Sequence, residues 1–201
     1  MARGLVADLV RAYRDPRASM ARQMREGLSE SRALFYLMAS CGIFFVASVP
    51  AAIRTAHRIE ADEPVSAAIG AHLFAFLFLA PLLLYGGAYL VHAAARLAGG
   101  RGTPLAARVA LFWSLLMLAP VALAIALVTA FAEIALGPGV LPWTSLLSYA
   151  GLALWLWVFA ACLAEAEGFG HSGRVAAVVV AAFGVAALVV VLLAGGAPAG
   201  S

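Results

Sequence analysis

The 201-residue chain contains no lysine, and all 13 of its basic residues are arginine. That absence reads as the codon preference of a GC-rich bacterial genome and carries no chemistry of its own. Charge of either sign is scarce: charged residues make up 11% of the chain against 65% hydrophobic, and the mean hydropathy is +1.00. A soluble surface of ordinary polarity needs roughly a quarter to a third of its residues charged. A soluble globular domain is therefore excluded, and a bilayer is the natural solvent. Cysteine is reduced to Cys41 and Cys162, each alone in an apolar run. Two such cysteines are small hydrophobic fillers, not a disulfide framework or a metal site.

Reactive templates are missing too. "GGRGT", residues 99–103, has the glycines of a phosphate loop but lacks the Gly-Lys-Ser/Thr ending and a preceding strand. Nucleophile templates, metal-ligand clusters, heme-attachment motifs and dinucleotide fingerprints are absent, so neither an enzyme nor a cofactor is expected. Seven of the 13 arginines fall within residues 1–32 without a base-stacking motif. That is a membrane-surface or orientation signal, and nucleic acid is not an expected partner. The start, "MARGLVADLVRAYRDPRASM", has no continuous apolar core before Arg11, so a cleavable signal peptide is not expected.

Long apolar runs fill the rest. About 20 apolar residues cross the hydrocarbon of a bilayer, and five such segments can be read, at about 33–53, 67–95, 104–130, 145–164 and 174–195. The expected fold class is all-α, a polytopic membrane bundle of five transmembrane helices preceded by N-terminal amphipathic helices. Residues 1–32 form the arginine-rich segment, 33–195 the membrane domain and 196–201 a short tail. The second segment is long enough to require tilt or a kink, for which Pro81 and Gly86-Gly87 suffice. Thr103 can cap a third helix that begins at Pro104 and continues past Pro120. "GPGVLP", residues 137–142, is a loop signal, and Trp143 beyond it suits a membrane interface.

Within the first 32 residues, Leu5, Val6, Leu9 and Tyr13 recur at helical spacing. Asp15-Pro16 then opens a second helix, with Met20, Met24 and Leu28 four apart and Arg17, Arg22 and Arg25 between them. Such a helix can lie flat at the headgroups or pack on the bundle, and the sequence leaves both open. With an N-terminus inside the cell, eleven of the 13 arginines, among them Arg11, Arg14, Arg17, Arg22, Arg25, Arg96, Arg101 and Arg108, fall on inside segments. Only Arg54 and Arg58 fall outside. The positive-inside rule thus favours a bacterial inner-membrane protein with a cytoplasmic N-terminus and a periplasmic C-terminus. In this reading Arg96, Arg101 and Arg108 anchor a short inside loop.

Ionisable groups inside a membrane are candidates for function by default. His72 and His92 both lie in the second span, 20 residues apart, which is about 30 Å of helix and too far to share a metal. Each is expected to act as a single hydrogen-bonding or interfacial histidine. Glu133 is expected among headgroups at the outer end of the third span. Glu165 and Glu167, two apart, face different directions and make no catalytic pair. Ser40, Ser114 and Ser148 are the remaining polar candidates at midplane. Small residues, Gly86, Gly87 and Ala88 in the second span and Ala177, Ala181, Ala182, Gly184 and Ala186 in the fifth, are expected to let helices approach closely within the monomer.

With these segments in view, the chain resembles the bacterial branch of the Yip1 family over most of its length. The resemblance rests on "RDPRASM" (14–20), on "GGRGTPLAARVALFWSLLMLAP" (99–120) and on the tryptophan-rich "LWLWVFAACLAEAEGFGHSGRVA". Gly99, Gly100, Gly102, Thr103 and Pro120 occupy the positions of the family's glycine-rich turn and proline-bearing span. The resemblance implies five membrane helices, a cytosolic N-terminus and no enzymatic activity. The expected function is that of a non-enzymatic inner-membrane protein that organises membrane lipid or partner membrane proteins, with self-association included. The alternatives are an accessory subunit of a larger membrane complex and a small transporter or channel.

Overall fold

The computed structural model describes residues 5–56, 62–137 and 141–170, together with Val175 and Val179. The described residues form seven α-helices: α1 (Leu5–Ala12), α2 (Pro16–Arg25), α3 (Glu30–Thr55), α4 (Pro64–Phe74), α5 (Ala80–Leu97), α6 (Pro104–Leu136) and α7 (Leu141–Glu167). A five-residue π-helical turn, Ala75–Leu79, joins α4 to α5, so that Pro64–Leu97 is one broken rod. Among the described residues four stretches are long and apolar enough to cross a membrane: Glu30–Thr55, Pro64–Leu97, Pro104–Leu136 and Trp143–Glu167. The fifth expected span, 174–195, with its small residues 177–186, lies outside the described residues, Val175 and Val179 excepted.

Local chemistry sets the helix ends. Asp15 accepts from the Ala18 N–H at 2.8 Å with Pro16 as first residue of α2. Ser29 caps α3 through the Arg32 N–H, and Thr103 caps α6 through the Ala106 N–H at 3.1 Å ahead of Pro104. Each cap satisfies a donor that a helix start would otherwise leave unpaired. The helices outrun the expected spans because hydropathy marks only the part that crosses hydrocarbon. α6, for instance, runs 33 residues, about 50 Å, to Gly137, whose φ of +79° ends it. α7 begins at Leu141, inside the stretch expected to be loop.

The break in the second span lies just ahead of Pro81. Proline has no N–H, and its ring crowds the carbonyl four residues back, so a wide π turn upstream accommodates it. Gly86 and Gly87 are expected to let helices approach closely, and the described residues show no such approach. A Cβ added at either meets no atom within 4 Å, so among the described residues neither brings two helices together.

The core lies at one end. Every buried residue of α6 falls between Ala106 and Ala119, and those of α7 concentrate from Trp155 to Glu167. Tyr36 packs on Trp113 with ring centroids 4.9 Å apart, and Tyr85 meets Phe112 edge-on at 5.1 Å. The wedge that closes this half is α2, which packs chiefly against α7. Its buried face is Pro16, Ser19, Met20 and Gln23, spaced i, i+3, i+4, i+7. Trp113 Nε1 donates to Ser19 Oγ at 3.1 Å, Tyr36 donates to Gln23 Oε1 at 2.9 Å, and the Tyr13 hydroxyl donates to the Met117 carbonyl. Of the two readings left open for this helix, packing on the bundle is the one the structure has. Met24, expected in the apolar stripe, is exposed, because Ser19 and Gln23 turn the helix toward polar partners on α3 and α6. Burial raises the Tyr13 phenol above its usual pKa and keeps it a donor.

Because nothing crowds Gly86, Gly86→Ala is expected to raise the apparent melting temperature in detergent, by an amount corresponding to roughly 0.5–1 kcal/mol. A lowered midpoint would show that another helix occupies that face.

Candidate functional site

The end where the core is dense gathers the start of α3, the α5–α6 turn, the end of α7 and α2. Its centre is Glu167, the last residue of α7, whose side chain is fully buried. His92 Nδ1 lies 2.7 Å from Glu167 Oε1, and the Gly102 N–H donates to Oε2 at 3.0 Å. The Arg101 N–H donates to the Glu167 carbonyl at 2.9 Å. The carboxylate thus selects the His92 tautomer that carries its proton on Nδ1. A buried carboxylate is tolerated only when its lone pairs meet donors. Here one donor comes from α5 and one from the backbone of the turn.

This contact explains the glycines of "GGRGT". Gly99 takes φ +93° and ends α5, with its own N–H on the Arg96 carbonyl and the Gly100 N–H on the Ala95 carbonyl at 2.8 Å. Gly168 ends α7 in the same way, at φ +73°. Gly100 and Gly102 are required for space. A Cβ on Gly102 would lie 2.3 Å from the Ala166 carbonyl oxygen and 2.8 Å from Glu167 Oε2, and one on Gly100 2.8 Å from that same Oε2. The turn lies so close to α7 that no side chain fits between.

Charge pairs surround this centre. Arg17 Nε meets Glu165 Oε2 at 2.8 Å, and its terminal nitrogens donate to the carbonyls of Phe169 and Gly170. Arg108 pairs with Glu30 at 2.5 Å and lies 5.9 Å above the Tyr85 ring. Arg17 and Arg108 are thus tied into the fold, where surface or topology roles were expected. Arg11, Arg14, Arg25, Arg96 and Arg101 are exposed. Arg22 is half-buried, with Nη2 lacking a hydrogen-bond partner among the described residues.

Most single polar residues are satisfied locally. His72 Nδ1 lies 2.9 Å from the Ala68 carbonyl of its own helix. Ser40, Ser114 and Ser148 each donate to a carbonyl three or four residues back, and Ser114 also accepts from Trp155 Nε1 at 3.2 Å. Pro120 is exposed where the buried run of α6 ends. Glu133, expected among headgroups, is largely enclosed at the far end and pairs with Arg54 at 3.2 Å. His92 is not solitary: its bond crosses 75 residues to Glu167. The available signal was the acid pair in "AEAE", which the arginine count places at the same end as the glycine turn.

The model of the Yip1 domain matches residues 10–194, from α1 through nearly the whole chain. The chain belongs to the Yip1 family. No curated protein and no solved structure matches it. In this Yip1-family protein the matched region includes every element around Glu167, from the α2 wedge to the end of α7. The protein is a multi-pass membrane protein.

Removing the buried carboxylate leaves the His92 and Gly102 donors unpaired in an apolar surround. Glu167→Ala is expected to cost about 3 kcal/mol, and Glu167→Gln, which keeps an acceptor, less. Gly102→Ala is expected to match or exceed the alanine effect. Apparent melting temperatures in detergent check the order, and a wild-type midpoint for both alanine variants would contradict the geometry.

Proposed function

We propose that this chain is a non-enzymatic Yip1-type protein of a bacterial inner membrane, with its N-terminal segment facing the cell interior, that organises lipid by gathering anionic headgroups around its basic end. The observation that carries this reading is the division of labour among the arginines. Arg17 and Arg108 are spent on internal pairs. Arg11, Arg14 and Arg25 on the α1–α2 segment, and Arg96 and Arg101 on the α5–α6 turn, remain exposed on a well-packed end. The buried nitrogen of Arg22, without a hydrogen-bond partner among the described residues, supports the same reading, since an anion would relieve it.

The physics of such an end is additive and screened by salt. Each arginine near an anionic leaflet contributes about 1 kcal/mol, and the effect fades beyond a Debye length. The packing of α2 on the bundle holds the backbone that carries Arg25, so little backbone freedom there is left to lose on binding. Arg22 Nη2 apart, the buried side-chain polar atoms among the described residues have hydrogen-bond partners, which favours a binding role over chemistry.

In proteoliposomes, spin-labelled phosphatidylglycerol is expected to be immobilised several-fold more than spin-labelled phosphatidylcholine. The triple change Arg11→Gln, Arg14→Gln, Arg25→Gln should reduce that selectivity by at least half, and 0.5 M salt should do the same. Equal immobilisation of the two lipids by the wild type would overturn the reading.

A further inference from the structure

The half of the bundle away from the glycine turn is built differently. Between α3, α6 and α7 lies an apolar groove of 460 Å³, walled by Phe44, Ala47, Leu118, Ala122, Ile125 and Leu152. That volume is within the range of small-molecule sites. Gly151 forms part of its wall, and a Cβ there would lie 3.0 Å from Ile125 Cδ1. The hydroxyls of Ser48, Thr129 and Ser148 also line it, but they donate to the carbonyls of Phe45, Ala126 and Thr144 on their own helices. The depth of the groove is therefore suited to hydrocarbon.

Its mouth is charged. Arg54, at the end of α3, lines the groove and also two adjoining hollows of 310 Å³ each, and Glu133, near the end of α6, lines both hollows. Arg54 Nη1 and Glu133 Oε2 are 3.2 Å apart. One hollow is apolar, against Ala130 and Ile134, and the other is polar, with Thr144 and Tyr149. A cation and a carboxylate thus lie side by side where an apolar slot opens.

We propose that this groove binds one phospholipid whose headgroup carries a primary ammonium, with an acyl chain in the slot, the phosphate on Arg54 and the ammonium on Glu133. Charge complementarity selects the occupant. A purely anionic headgroup would meet repulsion from Glu133, and a fatty acid would bring a second carboxylate to the Arg54–Glu133 pair with no cation to balance it. A choline headgroup carries the charge but no N–H to donate, whereas a primary ammonium adds charge-assisted hydrogen bonds. The partial enclosure of Glu133, whose side chain is 17% exposed, strengthens these terms relative to open water. The proposal is independent of the basic end, and either can fail alone.

The test is native mass spectrometry of the full chain in mild detergent, titrated separately with phosphatidylethanolamine, phosphatidylcholine and phosphatidylglycerol. The wild type is expected to retain one phosphatidylethanolamine about tenfold more tightly than either of the others. Glu133→Gln should abolish that preference, and Arg54→Gln should weaken all three lipids. Ala122→Phe, which fills the slot, should remove bound lipid. Should that variant not fold, wild-type protein photolysed with a phosphatidylethanolamine bearing a diazirine in its acyl chain supplies the same information, with labels expected on residues 44–51 and 118–126. Equal retention of the three lipids, a preference untouched by Glu133→Gln, or labels scattered over the helices would each overturn the proposal. So would cross-links from those residues to this chain's own 174–195, since the slot would then be filled from within.

Discussion

A carboxylate with no access to water governs the arrangement of this bundle. Left alone in an apolar interior, a carboxylate costs several kcal/mol, so the chain around Glu167 must supply donors or the end of α7 cannot be buried. Its own helix works against it, because a C-terminus is the negative end of the helix dipole. The remedy comes from elsewhere in the sequence: the imidazole of His92 from α5 and the N–H of Gly102 from the following turn. For the turn to reach that far it must lack side chains at positions 100 and 102. The glycine-rich turn, the lone histidine and the acid pair, which read as unrelated features along the chain, are parts of one contact.

This contact divides the molecule. Near it the helices are close, aromatic rings interlock, and α2 seals the space between α3, α6 and α7 with Trp113 and Tyr36 bonded to its polar side chains. Beyond Pro120, among the described residues, the Arg54–Glu133 pair still ties α3 to α6, and α3, α6 and α7 part around a groove that Arg54 lines. Packing in membranes has little hydrophobic drive between helices, so polar ties and small residues decide where they close. Among the described residues most of the polar ties between helices lie at one end, where the bundle is tight, and the other end holds the groove.

Much of the scaffold was legible because apolar length, caps and prolines act locally. Thr103-Pro104 and Asp15-Pro16 mark helix starts through bonds three residues long, and the spans follow from the thickness of hydrocarbon. The partners of His92 and Glu133 were hidden because both bonds join residues far apart in sequence, 75 and 79 positions, and hydropathy carries no information on which helix ends meet. The place of α2 was ambiguous for a related reason. An arginine-bearing amphipathic helix suits a lipid surface and a protein groove equally, until Ser19 and Gln23 are seen to have partners on α3 and α6. Gly86 and Gly87 show no close approach among the described residues, because a small residue permits close approach without demanding it.

The claim that a buried carboxylate clamps the α5–α6 turn to α7 is tested most directly by amide hydrogen exchange across residues 99–103 in lipid nanodiscs. These residues form a loop between two helices, and a loop of free backbone exchanges within seconds. The account predicts slow exchange at Gly100, Arg101 and Gly102, comparable with the neighbouring helix interiors, and a large loss of protection at Arg101 and Gly102 in Glu167→Ala. Rapid exchange of those amides in the wild-type protein would contradict it.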